Sequence, residues 1–239
     1  MDKTIETVAV SPPKLEIKTV LKALIHVGGI VGILLLSAGR VDWSAAWALA
    51  GIFLVYDVIM LSWPAVDSKI AAVLEDQRKP APKPQPQGKV LLLLYPVLLL
   101  AVLVTSGLDG GRFHWSSMSP MMRALGAVAV VIGHGAFLWC LSANSEALHD
   151  AVLRHDRNGM LMETGPYRYI RHPFYLATFL VALGGAVLLG SWWAAIPAGL
   201  ILPLYMARTV FEERMLVNEL EGYREYTSRV RYRWFPGIW

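Results

Sequence analysis

Cysteine is almost missing from this chain. Cys140 is the single one in 239 residues, so no disulfide can tie one part of the chain to another and no thiolate cluster is on offer to a metal. Its place inside an apolar run reads as a small buried hydrophobe. Charge is scarce too: 17% of residues are charged against 55% hydrophobic. The mean hydropathy of +0.46 exceeds what a water-soluble domain of this length carries. The net charge of +4 comes from basic residues scattered between apolar runs, with no basic face and no interleaved stacking aromatics. That distribution excludes nucleic acid as the expected partner and favours a membrane surface. No small-residue cleavage site follows the first apolar run, so that run is expected to be a retained helix, not a signal peptide. There is no fixed-period repeat and no glycine motif of the Walker or Rossmann kind, which excludes a solenoid and a phosphate-cradling loop of those types.

What the chain does have is long apolar runs. About 20 apolar residues cross a hydrocarbon core as a helix, and six runs approach that length: Val20 to Ser37, Trp43 to Trp63, Val90 to Ser106, Met121 to Leu141, Phe174 to Leu189 and Trp192 to Met206. The expected fold is all-α, a polytopic transmembrane helical bundle of about six spans. Its last two spans, joined by Gly190 and Ser191, form a tight hairpin, and a cytoplasmic C-terminal helix follows. With both termini cytoplasmic, all of the 22 basic residues except Arg40, Arg112 and Arg123 fall inside, as the positive-inside rule requires. The expected location is a multi-pass integral protein of a bacterial-type inner membrane. Trp43, Trp63, Trp115, Trp192 and Trp193 fall at span ends, where indoles prefer to lie.

Two regions follow from the polarity. Residues 1–141 hold four spans and a proline-rich linker over 64–88, whose alternating prolines favour an extended chain. Within those spans His26, Asp57 and His134 are isolated polar residues, most simply read as snorkelling groups or helix–helix hydrogen bonds. Residues 142–239 hold two polar segments, Ser142 to Arg171 and Arg208 to Arg233, flanking one hairpin. A hairpin brings its ends together, so His172, Tyr175, Arg208, Glu212 and Glu213 are expected around one membrane-face site. Arg208 and Glu212, four apart, share a helical face, from which Glu213 is turned by about 100°. Gly165 and Pro166 predict a turn. Pro173 suits the first turn of a helix whose free amides attract an anionic group. Arg168, Arg171 and Tyr169 read as headgroup and interface contacts. The basic, aromatic run from Arg229 to Trp239 is expected to dock beneath the site or on the membrane.

The ordered set of Gly165 to Tyr175 (GPYRYIRHPFY), Glu212-Glu213 and Gly222 to Tyr226 (GYREY) resembles the isoprenylcysteine carboxyl methyltransferase family, membrane enzymes related to the phospholipid N-methyltransferases. The resemblance is specific from about Asn144 to Trp239. It implies S-adenosyl-L-methionine as cofactor, held outside any Rossmann fold, and a lipophilic or lipidated acceptor arriving from the membrane lipids. Carried over by position, the cofactor would be lined by Gly159, Met160, Leu161 and Met162, by Tyr167, by His172, Pro173, Phe174 and Tyr175, and by Glu212. Arg208 would hold the acceptor, with Asn144 supporting the pocket. The chain departs from the family at Arg154, where a glutamine is usual, and at Gly159, where a histidine is frequent. A carboxylate acceptor is ionised at neutral pH and needs no base. An amine would need a proton acceptor, with His172 or Glu213 as candidates, and a thiol would need its pKa lowered, to which Arg208 could contribute. A transporter or a scaffold is the non-enzyme alternative, although transporters concentrate polar groups at the midplane of repeated halves. No metal site is expected, and no terminal CaaX box marks the chain as its own substrate.

Overall fold

In the computed structural model, which describes residues 17–66, 86–154 and 161–239, the chain is a bundle of helices, with no strand among those residues. In chain order the helices are α1 (Ile17–Ala38), α2 (Ser44–Val66), α3 (Pro86–Ser106), α4 (Pro120–Arg154), α5 (Pro173–Leu188), α6 (Trp192–Glu219) and α7 (Tyr223–Arg229). Five of them hold stretches long and apolar enough to cross a membrane, and α5 is a shorter apolar helix. Leucine, valine and isoleucine side chains such as Leu24, Val55, Leu93, Val128, Ile132 and Leu200 point away from the bundle. Exposed apolar surface on that scale is compatible with lipid and not with water.

The boundaries differ from the hydropathy reading in four places. Proline 64 is accommodated within the last turn of α2, and Pro86 opens α3, so the linker is shorter than 64–88; its remainder, 67–85, lies outside the described residues. Helix α4 runs for 35 residues, well past Leu141, because nothing in Ser142 to Arg154 breaks a helix. Helix α6 runs for 28 residues through Pro197 and Pro203 and carries Arg208, Glu212 and Glu213 on the same rod. Trp43 is only 5% exposed and packs in the core with Leu34, Ala46 and Leu189, so it is a core residue and not an interface anchor.

The chain runs up and down. At one end, a short π-helical turn after α3 (Gly107–Phe113) is wedged among the end of α1, Trp43 and the tip of the α5–α6 hairpin. Asp109 in that turn is fully buried. Its carboxylate accepts from the Ser116 backbone N–H at 2.7 Å, the Ser116 hydroxyl at 2.5 Å and the Ser191 hydroxyl at 2.6 Å. Ser191 also caps α6 by accepting from the Ala194 N–H at 2.9 Å, and Gly190 turns the chain with φ +80°, a conformation costly to any other L-residue. The hairpin tip is thereby held through side chains from a segment some 80 residues earlier in the sequence.

Helix α5 packs on α4 with almost no side chain between them. A Cβ added at Gly126 would lie 2.4 Å from the Leu188 nitrogen, and one at Gly133 would lie 2.7 Å from Val181 Cγ2 and 2.9 Å from the Ala177 carbonyl oxygen. Close approach through small residues is how helices gain dispersion energy where lipid removes the hydrophobic drive. This packing aims the first turn of α5 at the end of the bundle opposite the π turn, where the last turns of α6 also arrive.

Candidate functional site

The lead-in to α5 is a bent segment held from below. Gly165 takes φ +56° and starts a single 3-10 turn, Gly165–Arg168. Its Tyr167 carbonyl accepts the Tyr226 hydroxyl at 2.8 Å. Burial pushes the phenols of Tyr167, Tyr223 and Tyr226 above their usual range, so all three are neutral; the Tyr223 hydroxyl is buried with no partner among the described residues. The backbone then pairs with the C-terminal tail: Arg171 N–H donates to the Tyr232 carbonyl at 3.0 Å and His172 N–H to the Arg233 carbonyl at 2.9 Å. His172 is the N-cap of α5 without capping it through its side chain, and Pro173 follows, leaving the first-turn amides uncapped by that residue.

Glu213 is the centre of this end of the molecule. It is buried, and its Oε1 accepts from Arg171 Nε at 2.6 Å with His172 Nε2 at 3.3 Å, while Oε2 accepts from Arg233 Nε at 2.7 Å. Arg171 also donates through Nη1 to the carbonyls of Val230 and Arg231 at 2.7 and 2.9 Å. One carboxylate therefore ties together the α5 lead-in, α6 and the tail. Arg171 is 8% exposed, which corrects its reading as a headgroup contact; Arg168 and Tyr169 are exposed as expected.

Glu212, turned away from that cluster, belongs to another. Tyr175 donates its hydroxyl to Glu212 Oε2, and the Tyr175 hydroxyl oxygen accepts from Arg208 Nε at 2.7 Å. The Arg208 guanidinium carbon lies 5.6 Å from the Tyr175 ring centre. Among the described residues the terminal Nη1 and Nη2 groups of Arg208 have no acceptor. The Tyr175 ring is stacked between His172, at 5.6 Å and 4°, and Tyr205, at 4.6 Å and 24°. Tyr205 in turn stacks on Tyr95 of α3 at 5.2 Å. Below, Trp234 is fully buried and donates its indole N–H to Thr209 Oγ1 at 3.0 Å.

The structure thus brings His172, Tyr175, Arg208, Glu212 and Glu213 together at one end of the bundle. Pro173 is buried beside them, and Phe174 packs tilted against Phe137 at 4.0 Å between ring centres. Tyr167 is half-buried, and Asn144 Oδ1 is buried with no partner. Leu161 and Met162 are half-buried, Leu161 packing on Tyr223 and Tyr226. Gly159 and Met160 lie outside the described residues. The motif reading missed Arg171, Arg233, Trp234, Tyr205 and Tyr95. Arg233 and Trp234 lie in the basic, aromatic tail that was expected to dock, but nothing in their spacing names Glu213 or Thr209 as partners.

The three in-span polar residues of the first half also meet. His26 Nδ1 is 3.1 Å from Asp57 Oδ2. His134 is held by the Val130 carbonyl at 2.9 Å and packs between Phe53 and Tyr56. These are the helix–helix contacts expected of them. Among the described residues no group of three or more His, Cys, Asp or Glu side chains is arranged to hold a metal.

A comparison with known protein families reaches the same part of the chain. A family model described as phospholipid methyltransferase matches residues 121–221. The cobalt-zinc-cadmium resistance protein CzcN of Cupriavidus metallidurans is 28% identical over 134 residues, 55% of this chain and 58% of that one. Protein-S-isoprenylcysteine O-methyltransferase of Schizosaccharomyces pombe is 29% identical over 92 residues, 38% of this chain and 39% of that one. The protein of the same name from Saccharomyces cerevisiae is 27% identical over 135 residues, 55% of this chain and 54% of that one. The chain spans between 39% and 58% of the length of these curated relatives. The stretch matched by the family model contains the His172 corner, Tyr175 and both glutamates, so the chain is similar to membrane methyltransferases over the part that carries these residues.

Proposed function

We propose that this protein is an integral membrane methyltransferase that uses S-adenosyl-L-methionine to methylate a lipophilic carboxylate of the prenylcysteine type. The observation that carries the carboxylate is the Arg208 side chain, tethered through Nε to Tyr175 while its terminal N–H groups stay without acceptors among the described residues. A guanidinium fixed at its neck presents a planar fork that matches a carboxylate bidentately.

The residues around it fit the cofactor. Asn144 has a buried oxygen with no partner, Glu212 is a half-buried carboxylate beside Tyr175, and the uncapped first turn of α5 favours an anion such as an amino-acid carboxylate. The donor would supply, when bound, a methyl group on a sulfonium: an ionised carboxylate oxygen attacks that carbon, and the O–CH3 bond of the ester forms as the S–CH3 bond breaks and S-adenosyl-L-homocysteine leaves as a neutral thioether. Glu212 accepts from ammonium or ribose hydroxyls, Asn144 accepts another polar hydrogen, and Arg208 orients the acceptor for in-line attack. The stacked Tyr175, Tyr205 and Trp234 keep water from the reacting atoms. Alignment and water exclusion are the effects such a transfer needs. Since the acceptor carboxylate is already ionised, no general base is required.

N-methylation of a phosphatidylethanolamine-like lipid is the second reading, favoured by the description of the matching family model. An amine acceptor would require a proton acceptor, and Glu213 is taken up on both oxygens by Arg171, His172 and Arg233. S-methylation of a small thiol would be served by Arg208 but has no further support. The orientation that accompanies the leading reading puts the site on the cytoplasmic side of a bacterial-type inner membrane, with both termini there and membrane lipids delivering the acceptor.

The test is a labelled-methyl assay on the purified full-length protein with a prenylcysteine acid, phosphatidylethanolamine vesicles and small thiols offered separately. Methyl ester formation is expected, with Arg208→Ala lowering kcat/KM by at least about a hundredfold, on the order of 3 kcal/mol for a charged hydrogen-bonded pair. Label on the amine or thiol alone would replace this reading. Failure to bind S-adenosyl-L-homocysteine would leave a transporter or scaffold.

A further inference from the structure

We infer that the Tyr175 hydroxyl couples the cofactor side of the site to the acceptor side, so that filling either strengthens the other; the inference rests on the methyltransferase reading above. Arg208 and Glu212 are four residues apart on α6, a spacing at which the two side chains ordinarily pair directly. Here they do not form an ion pair. The Tyr175 oxygen stands between them, donating to Glu212 and accepting from Arg208. A hydroxyl is suited to this position because it donates and accepts at once. A direct pair would take up the arginine's terminal fork, whereas the hydroxyl takes only Nε.

The bridge cannot swing. Stacking on His172 at an interplanar angle of 4° and on Tyr205 at 24° fixes the ring, and the guanidinium lies 5.6 Å from the ring centre. Because the ring is already fixed, a ligand that orders Glu212 orders Arg208 through the shared hydroxyl. The ligand arriving second meets a partner whose conformational freedom has already been removed, which is positive coupling without a change of fold. Polarisation along the three-member chain acts in the same sense, since accepting from a guanidinium makes the phenol a stronger donor to Glu212. Tyr175 is on this account a positioning residue.

The test is calorimetric titration of S-adenosyl-L-homocysteine into the full-length protein in lipid nanodiscs, alone and with N-acetyl-S-farnesyl-L-cysteine as the acceptor probe. The methyl ester of that probe, which lacks the carboxylate, is the control. In the wild type the acid is expected to raise cofactor-product affinity about fivefold or more, at the lower end of measured couplings, and the ester to leave it unchanged. Tyr175→Phe keeps the ring and its stacking and is expected to bring the ratio to about one, with KM for the acid rising more than kcat falls. Arg208→Lys, which keeps the charge but has no Nε, is expected to lose the coupling as well. Tyr205→Phe removes a hydroxyl from the same stack, on a ring that also stacks on Tyr95, and is expected to retain it. An unaltered ratio in Tyr175→Phe, an equal loss in Tyr205→Phe, or no coupling in a wild type that binds both ligands would overturn the inference. A wild type that binds neither ligand would instead remove the methyltransferase reading beneath it.

Discussion

Glu212 and Glu213 are adjacent in sequence and opposite in role because one helical step of about 100° separates them. Glu212 faces Tyr175 and the region assigned to the cofactor; Glu213 faces two arginines and a histidine and is sealed from solvent. Glu212→Gln should therefore weaken S-adenosyl-L-homocysteine binding by tenfold or more while leaving the melting temperature within about 2 °C, within the scatter of surface substitutions. Isothermal titration with a parallel melt reads both, and unchanged affinity would take Glu212 out of the site. Glu213→Ala should do the reverse. It leaves buried Arg171 and half-buried Arg233 facing each other with no anion, and breaking a buried pair this way costs about 3–5 kcal/mol. The outcome is a large loss of melting temperature and of fold; an activity loss with no loss of stability would return Glu213 to the list of proton acceptors.

At the scale of elements, the site depends on where α5 and α6 start and how they are braced. Gly133 and Gly135 lie two residues apart on α4, yet a Cβ at the first would press into Val181 and the Ala177 carbonyl while one at the second meets nothing within 4 Å. Gly133→Ala should destabilise by about 1–3 kcal/mol through overpacking. Gly135→Ala should be neutral or gain up to about 1 kcal/mol from helix propensity. Denaturant titration of the two variants in one detergent distinguishes them, and equal effects would refute the close α4–α5 contact. At the far end, Asp109→Ala removes a buried carboxylate that three donors share. A loss of about 3 kcal/mol is expected from charged hydrogen bonds at such a site. If the tip of the hairpin positions its base, cofactor affinity should fall as well, even though Asp109 is at the opposite end of α5. Unchanged stability and affinity would show that the π turn braces nothing.

The whole molecule is an up-and-down bundle, so the start of α1 and the tail after α7 share one end, and the π turn with the hairpin tip shares the other. The proposed orientation, which follows the distribution of lysine and arginine, puts the first of these ends in the cytoplasm. With Cys140 replaced by alanine, Ser117→Cys should react with a membrane-impermeant maleimide from outside right-side-out vesicles, and Ser228→Cys only after the vesicles are opened. The reverse pattern would invert the orientation.

The apolar helices and their order, the hairpin at Gly190-Ser191 and the convergence of His172, Tyr175, Arg208, Glu212 and Glu213 were legible in the sequence, because hydropathy, turn chemistry and the four-residue helical repeat are local rules; of the six expected spans, five are long enough to cross and α5 is shorter. The lengths of α4 and α6 beyond the bilayer were not, since hydropathy stops at the first polar residue while a helix stops only at a breaker. Nor was the burial of Trp43, for an indole at a span end is interfacial or internal depending on what lies beside it, and its neighbours come from α1 and the hairpin tip.

What the chain determined by itself is therefore a set of apolar rods, their order and the chemistry carried at one end. Only tertiary structure decided that Arg171 leaves the headgroups for Glu213, that Arg233 arrives from the tail to share it, and that Tyr175 stands between Arg208 and Glu212. Each of those contacts joins residues 20 to 42 positions apart. The pairing of such groups follows from which buried charge most needs a partner, and burial is set by the packing of the whole bundle.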